Sequence, residues 1–309
     1  MMSVVNSKSS RSLKERCKAL SSPVLAGLAW LWSMCTVAGA PEPMAVFVSI
    51  LPQKYFVEQV GGHHVQVSVM VGSGQSPATY DPTPRQLLAL GEARAYFRIG
   101  VPFETAWMGR IATVNPRMVI IDTRRGIQLR AMERSLGWGG GRHSKGLQDP
   151  HIWTSPPLVE IQARNIRDAL TDLDPAHKAD YERNWQRFAA ELKALDAYIR
   201  ERLRDLKDRN VMVFHPSWGY FAHAYGLHQI PIETEGKAPG ARDLARLIEQ
   251  ARTMHIRVIF MQTQYSRRTA QAIADAIGAR VVAVDPLAED YVQNLKHVTD
   301  AFAEAMSGS

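Results

Sequence analysis

Short apolar runs alternate with stretches whose apolar residues recur every three or four positions. Residues 44–50 form a near-continuous apolar run, the pattern of a strand buried on both faces. Residues 55–60 have helical spacing, Gly61 and Gly62 break it, and 65–71 again read as a strand. A helix is predicted over 83–90 with Pro84 in its first turn, then strands at 95–100 and 118–121. Strand–helix alternation of this kind predicts an α/β lobe with a mostly parallel sheet. After residue 174 the pattern changes. Tyr181, Trp185, Phe188, Leu192, Leu195, Ile199, Leu203 and Leu206 follow one another in steps of three or four, a single stripe on one long helix. Asp174 is placed to cap it and Pro175 suits its first turn. A helix over 175–207 spans about 50 Å at the usual rise. Alternation then resumes, with strands at 211–214, 258–261 and 281–284 and helices at 241–254, 268–277 and 291–306; Gly278 is placed to end the second of these.

The predicted fold class is therefore α/β, two lobes with mostly parallel sheets. The expected organisation is a first lobe over 44–174, a linking helix over 175–208 and a second lobe over 209–309. Residues 124–148 read as a surface loop. The glycines of 137–141 lack the Lys-Ser/Thr pair that a phosphate-cradling loop requires.

Composition adds a compartment. Of 309 residues, 46% are hydrophobic, enough for two lobes with substantial cores. Residues 1–40 read as a secretion signal, with basic residues up to Lys18, an apolar segment over 23–32 too short for a membrane span, and small residues at Ala38, Gly39 and Ala40. An extracytoplasmic location, the periplasm or its equivalent, is expected. Cys35 fits a lipid-attachment pattern poorly. Both cysteines, Cys17 and Cys35, lie in this leader. The processed chain then has neither a disulfide nor a thiolate, and any metal must be held by nitrogen and oxygen. Part of the net charge of +7 also belongs to the leader, and no basic stripe interleaved with aromatics argues for nucleic acid.

Candidate chemistry gathers where predicted strands give way to loops. Asp149-Pro150-His151, Phe214-His215-Pro216 and Val284-Asp285-Pro286 offer two imidazoles and a carboxylate, a plausible donor set for zinc. His215 and Asp285 follow strands at the edge where open α/β sheets bind ligands. On spacing alone a second reading stands beside this one: Asp285 caps a helix and the histidines make ordinary loop hydrogen bonds. His143 is a candidate auxiliary metal-capturing group, while His63, His64, His177, His228, His255 and His297 read as surface or structural histidines, as does His223 on the helix after His215.

Several stretches together resemble the solute-binding subunits of bacterial zinc and manganese ABC importers, over nearly all of the chain from Phe47 onward. They are residues 49–57, 76–84 and 100–104, Asp149 to Trp153, His215 to Tyr220 with Tyr225-Gly226-Leu227, and Asp285-Pro286-Leu287. The resemblance implies one rigid long helix joining the lobes, a metal between them, and ligands at His151, His215 and Asp285. It also implies Zn2+, with Mn2+ as the alternative, since manganese-type members tend to carry glutamate at the position of His215. The implied partners are an ABC permease and its ATPase; the chain itself is expected to be a monomer and not an enzyme. The family's first ligand histidine follows a proline in the 76–82 stretch, where this chain has Ala78. Water or a group from Gln75, Tyr80, Asp81, His143 or Glu235 is the expected replacement. Two other readings remain: capture of another solute such as a metal chelate, or docking of a partner protein; and a zinc hydrolase with an open coordination position. The hydrolase would need Glu233 or Glu235 as base, and the chain has no HExxH motif.

Overall fold

The computed structural model describes residues 42–133, 148–233, 236–265 and 267–307. Its first lobe is built on β1 (Met44–Ile50), β2 (Val65–Val71), β3 (Ala95–Arg98) and β4 (Val119–Asp122), all parallel, in the order β2-β1-β3-β4. The second lobe repeats the plan with β5 (Asn210–Val213), β6 (His228–Pro231), β7 (Val258–Met261) and β8 (Arg280–Ala283), in the order β6-β5-β7-β8. In both sheets the strand order reverses direction beside the first strand. Such a reversal opens a crevice at the carboxyl ends of the strands, the general ligand position of open α/β sheets.

Local chemistry sets the helices. In α1 (Leu51–Gly61) and α3 (Pro102–Val114) a proline stands within the first two helical positions, where its missing N–H costs nothing. In α2 (Pro84–Leu90) Thr83 and Gln86 form a reciprocal capping box. Glu104, fully buried in the first turn of α3, accepts from the Ser49 hydroxyl and from the backbone N–H groups of Ile99 and Gly100, which fixes the turn leaving β3. Gly100 has φ +89°, and a Cβ there would collide with the Arg124 guanidinium.

Helices α4 (Pro156–Leu173) and α5 (Lys178–Arg202) pack against each other, and α5 also packs on α1 and on α9 (Tyr291–Ser307). The long helix thus touches both lobes. Tyr55, Phe56, Phe188 and Tyr291 meet ring to ring along it, at centroid distances of 4.8–6.3 Å. One apolar core runs continuously through both lobes; a smaller one around Met212, Ile259 and Ile273 lies under α7 (Ala241–Thr253) and α8 (Arg267–Ile277).

Several elements differ from the sequence expectation, which gave no helix at α3 and no strand at β6. The long helix is 25 residues, about 37 Å, and not the 175–207 span. Residues 175–177 form a separate tight turn, and the Asp174 carboxylate makes no cap because the Tyr181 hydroxyl and the His177 ring occupy it. At the other end the Arg209 guanidinium donates to the carbonyls of Leu203 and Arg204, closing the helix before the apolar stripe ends. Helix α4 was not anticipated, although Val159, Ala163, Ile166 and Leu170 carry its buried face and its prolines stand in the first turn. Strand β6 ends in Pro231 and is tolerated because it lies at a sheet edge. The leader residues 1–40 lie outside the described residues.

Phe302, on α9, is fully buried against Trp218, Phe221 and Phe260, with centroids 4.5–5.7 Å away. Phe302→Ala is expected to cost about 3–5 kcal/mol, read as the change in unfolding free energy in urea. A loss below about 1 kcal/mol would show that this cluster does not hold the second lobe to α9.

Candidate metal centre

The strand ends of both sheets deliver their side chains to one cavity of about 70 Å³. Ser76, Pro77 and Ala78 arrive from the loop after β2, Val101 and Pro102 from the turn after β3, His215 from the end of β5, Gln262 to Tyr265 from the end of β7, and Leu287 from the loop after β8. His151 enters on the turn 149–154, which follows a short antiparallel bridge between Ala131 and Gln148.

His151 and His215 face each other with ring centroids 5.2 Å apart and planes at 74°. Each is held from behind by a buried carboxylate. Asp149 Oδ1 accepts from His151 Nδ1 at 2.7 Å and from its backbone N–H at 2.9 Å. Glu233 Oε1 accepts from His215 Nδ1 in a very short contact. Asp149 is 2% exposed and Glu233 1%. A carboxylate on Nδ1 fixes the tautomer, so the lone pair resides on Nε2, and no described residue donates to or accepts from either Nε2. Burial pushes the His215 imidazole below its ordinary value, against the opposing pull of Glu233, so the ring is neutral near pH 7 and its lone pair is available.

The supports of these groups come from several elements. Gln262 accepts from the His215 N–H and donates to the His215 carbonyl and the Ser217 hydroxyl, which locks the turn after β5. The Tyr265 ring stacks on His215 at 5.0 Å. Trp153 Nε1 donates to the Pro286 carbonyl at 2.7 Å, tying the turn that carries His151 to the loop that carries Asp285. Tyr220 donates its hydroxyl proton to the Asp149 carbonyl. The first residue of α6 (Gly219–Tyr225) is Gly219, where a Cβ would stand 2.7 Å from Asp149 Oδ2.

Asp285 is not among the residues that line the cavity; it stands beside Gln264 and Leu287, which are. Its Oδ1 accepts from Gln264 Nε2 at 3.0 Å and from the Leu287 N–H at 2.9 Å. No described residue donates to its Oδ2. Among the described residues no three His, Cys, Asp or Glu side chains already stand together at metal-binding distance. Tyr80 and Asp81 are turned to other partners: the Tyr80 hydroxyl bonds Gln86, and Asp81 accepts from Trp107 Nε1. His143 and Glu235 lie outside the described residues, and Gln75 is bound to the Gly72 N–H. Met132, Gln264 and Tyr265 also line the cavity; nothing in the sequence singles them out except, for the last two, their position just past a predicted strand.

The geometry suits a small cation. With metal–nitrogen bonds of about 2.0–2.1 Å and ring centroids about 1.1 Å behind each nitrogen, two imidazoles on a tetrahedral ion have centroids about 5 Å apart. The observed spacing of 5.2 Å matches, and the carboxylate–imidazole pairs are the usual supports of metal-binding histidines.

The family model described as ZnuA, zinc-uptake complex component A, periplasmic, matches residues 46–305. The chain is 27% identical over 257 residues to the high-affinity zinc uptake system protein ZnuA of Bacillus subtilis, an alignment covering 80% of this chain and 79% of that protein. A crystal structure of ZnuA matches with a TM-score of 0.80 at 44% identity, over 85% of this chain and 99% of the other. A ZnuA deletion mutant solved with zinc bound matches with a TM-score of 0.79 at 44% identity, over 85% and 98%.

Gly219→Ala tests the support of His151. In an open helix the change stabilises by up to about 1 kcal/mol. Here the added methyl meets the Asp149 carboxylate, and a net loss of about 1–3 kcal/mol in urea unfolding is expected from the disturbed buried hydrogen bonds. A stabilised variant would mean that the close approach of Gly219 to Asp149 is not required.

Proposed function

The chain belongs to the ZnuA family of periplasmic zinc-uptake components, and on that premise we propose that it captures Zn2+ with His151, His215 and Asp285 and delivers it to a membrane permease driven by an ATPase. It is a metal-binding, extracytoplasmic solute-binding protein and not an enzyme. The observation that carries the zinc reading is the pair of carboxylate-clamped imidazoles whose Nε2 atoms remain unengaged by any described residue. Neutral imidazole nitrogen favours zinc over manganese, which prefers oxygen donors and lies lower in the affinity series.

Capture follows from these parts. His151 and His215 supply two fixed nitrogens. Asp285 supplies its free Oδ2, with Oδ1 left on Gln264 and the Leu287 N–H. His215 and Asp285 stand on loops after β5 and β8 and His151 on the turn before α4, and the Trp153–Pro286 hydrogen bond couples that turn to the β8 loop. An ion held by all three donors ties the β5 and β8 loops to the turn that carries His151, so its presence is expressed in the relation of these segments. That difference gives a permease something to recognise.

The processed protein is expected to bind zinc more tightly than manganese in chelator competition, and His215→Ala and Asp285→Ala are each expected to weaken zinc. Glu233→Gln keeps the shape but removes the charge behind His215, and should cost about 10–100-fold in zinc affinity. Unchanged affinity in both His215→Ala and Asp285→Ala would refute the site.

A further inference from the structure

The two imidazoles account for only part of the cavity they border. Its volume of about 70 Å³ is several times the roughly 10–15 Å³ that one water requires. Among the described lining residues, His151 and His215 are the only imidazoles and no carboxylate lines the space. With Asp285 recruited from behind Gln264, a tetrahedral ion still lacks one donor. The wall formed by Pro77, Ala78, Val101, Pro102, Pro150 and Leu287 offers no side-chain lone pair.

We infer that this space takes a small non-protein co-ligand of the ion, a neutral nitrogen heterocycle of the imidazole class, so that the cargo is the metal with that molecule attached. The inference rests on the reading that His151 and His215 hold the ion. Three features fix the chemical class. Size comes first: the space exceeds what a single water requires, so a molecule larger than water can stand beside the ion. Charge comes second. Asp149 and Glu233 already stand behind the two rings and Asp285 joins the ion, so three carboxylates face one divalent cation; no Lys or Arg is among the described lining residues. A further anion in a largely apolar cavity would be uncompensated, whereas a neutral donor adds no charge. Shape comes third. Proline, alanine, valine and leucine surfaces suit the apolar faces of a flat ring, while the Gln264 amide oxygen, elsewhere in the lining, offers an acceptor for its second nitrogen.

The test uses the processed full-length protein with imidazole itself as the probe. Zinc affinity is measured against a competing chelator whose own affinity is calibrated at each imidazole concentration. The cobalt(II)-loaded protein is followed in parallel by its visible d–d spectrum. With imidazole at about ten times its own Kd for the loaded protein, apparent zinc affinity should rise about tenfold and the cobalt spectrum should change. In Ala78→Leu, which fills the space, and in Ala78→His, which supplies the ring covalently, the ratio of affinities with and without imidazole should fall to about one. Two variants guard against one misfolding, and thermal unfolding of each checks that it folds.

Absence of any imidazole effect on the wild-type protein would overturn the inference, as would an equal effect in wild type and Ala78→Leu. Loss of imidazole-free zinc affinity in His143→Ala or Glu235→Ala would also overturn it, because the protein would then supply the missing donor. These results leave the zinc site standing. Zinc affinity that survives His215→Ala unchanged removes the site and this inference together, so the two failures are distinguishable.

Discussion

The hydrogen bond between a buried carboxylate and an imidazole Nδ1, made twice, is the constraint on which the candidate centre depends. A histidine on a loop is free to rotate and to choose between two tautomers. Asp149 and Glu233 remove both freedoms by accepting from Nδ1. Each ring then presents Nε2 in a fixed place, and the 5.2 Å between centroids becomes a property of the fold. Much of the surrounding structure serves these two bonds. Gly219 leaves room for Asp149, Tyr220 holds its carbonyl, Gln262 locks the turn of His215, and Tyr265 covers the ring.

The supports reach across the molecule because the two sheets share one topology. Reversal of strand order beside β1 and β5 gathers the loops after β2, β3, β5, β7 and β8 at one crevice. The long helix and its aromatic contacts with α1 and α9 make one continuous core of the lobes. Positioning to fractions of an ångström at the centre therefore draws on packing well removed from it.

How much of this was legible in the sequence depended on the range of the interaction involved. The strands at 44–50, 65–71 and 258–261 were read at their observed limits, because a run of buried apolar residues is a local signal. The capped start of α2 was also local. Helix α4 was missed despite its first-turn prolines, and the end of α5 is set by Arg209, a side chain that comes back from beyond the helix. At the centre, His151, His215 and Asp285 stood out in the sequence as candidate donors beside loops; the two histidines line the cavity, His151 from the turn before α4 and not from a strand end, and Asp285 is not among the lining residues. Their company was not legible. Glu233 stands 18 residues from His215, and Gln262 stands 47 from it; both contacts arise from neighbouring strand ends and leave no trace in spacing. Tyr80 and Asp81 were candidates only as replacements for the donor missing at Ala78, and their side chains are satisfied by Gln86 and Trp107.

The cost of this arrangement falls on Glu233. Its Oε1 is bound to His215, but its buried Oε2 has no hydrogen-bond partner among the described residues. Burial favours the neutral form of the His215 ring, against the opposing pull of Glu233. A buried carboxylate oxygen without a partner is costly unless something balances it. A divalent ion on Nε2 would draw electron density through the ring, strengthen the Nδ1–H···Oε1 bond and offset the carboxylate at the same time. A cation on the ring would therefore be favoured by the carboxylate behind it as well as by the imidazole nitrogen. A neutral hydrogen-bond acceptor in place of Glu233 would orient the ring equally well and avoid the penalty; it would also forgo the attraction for a cation.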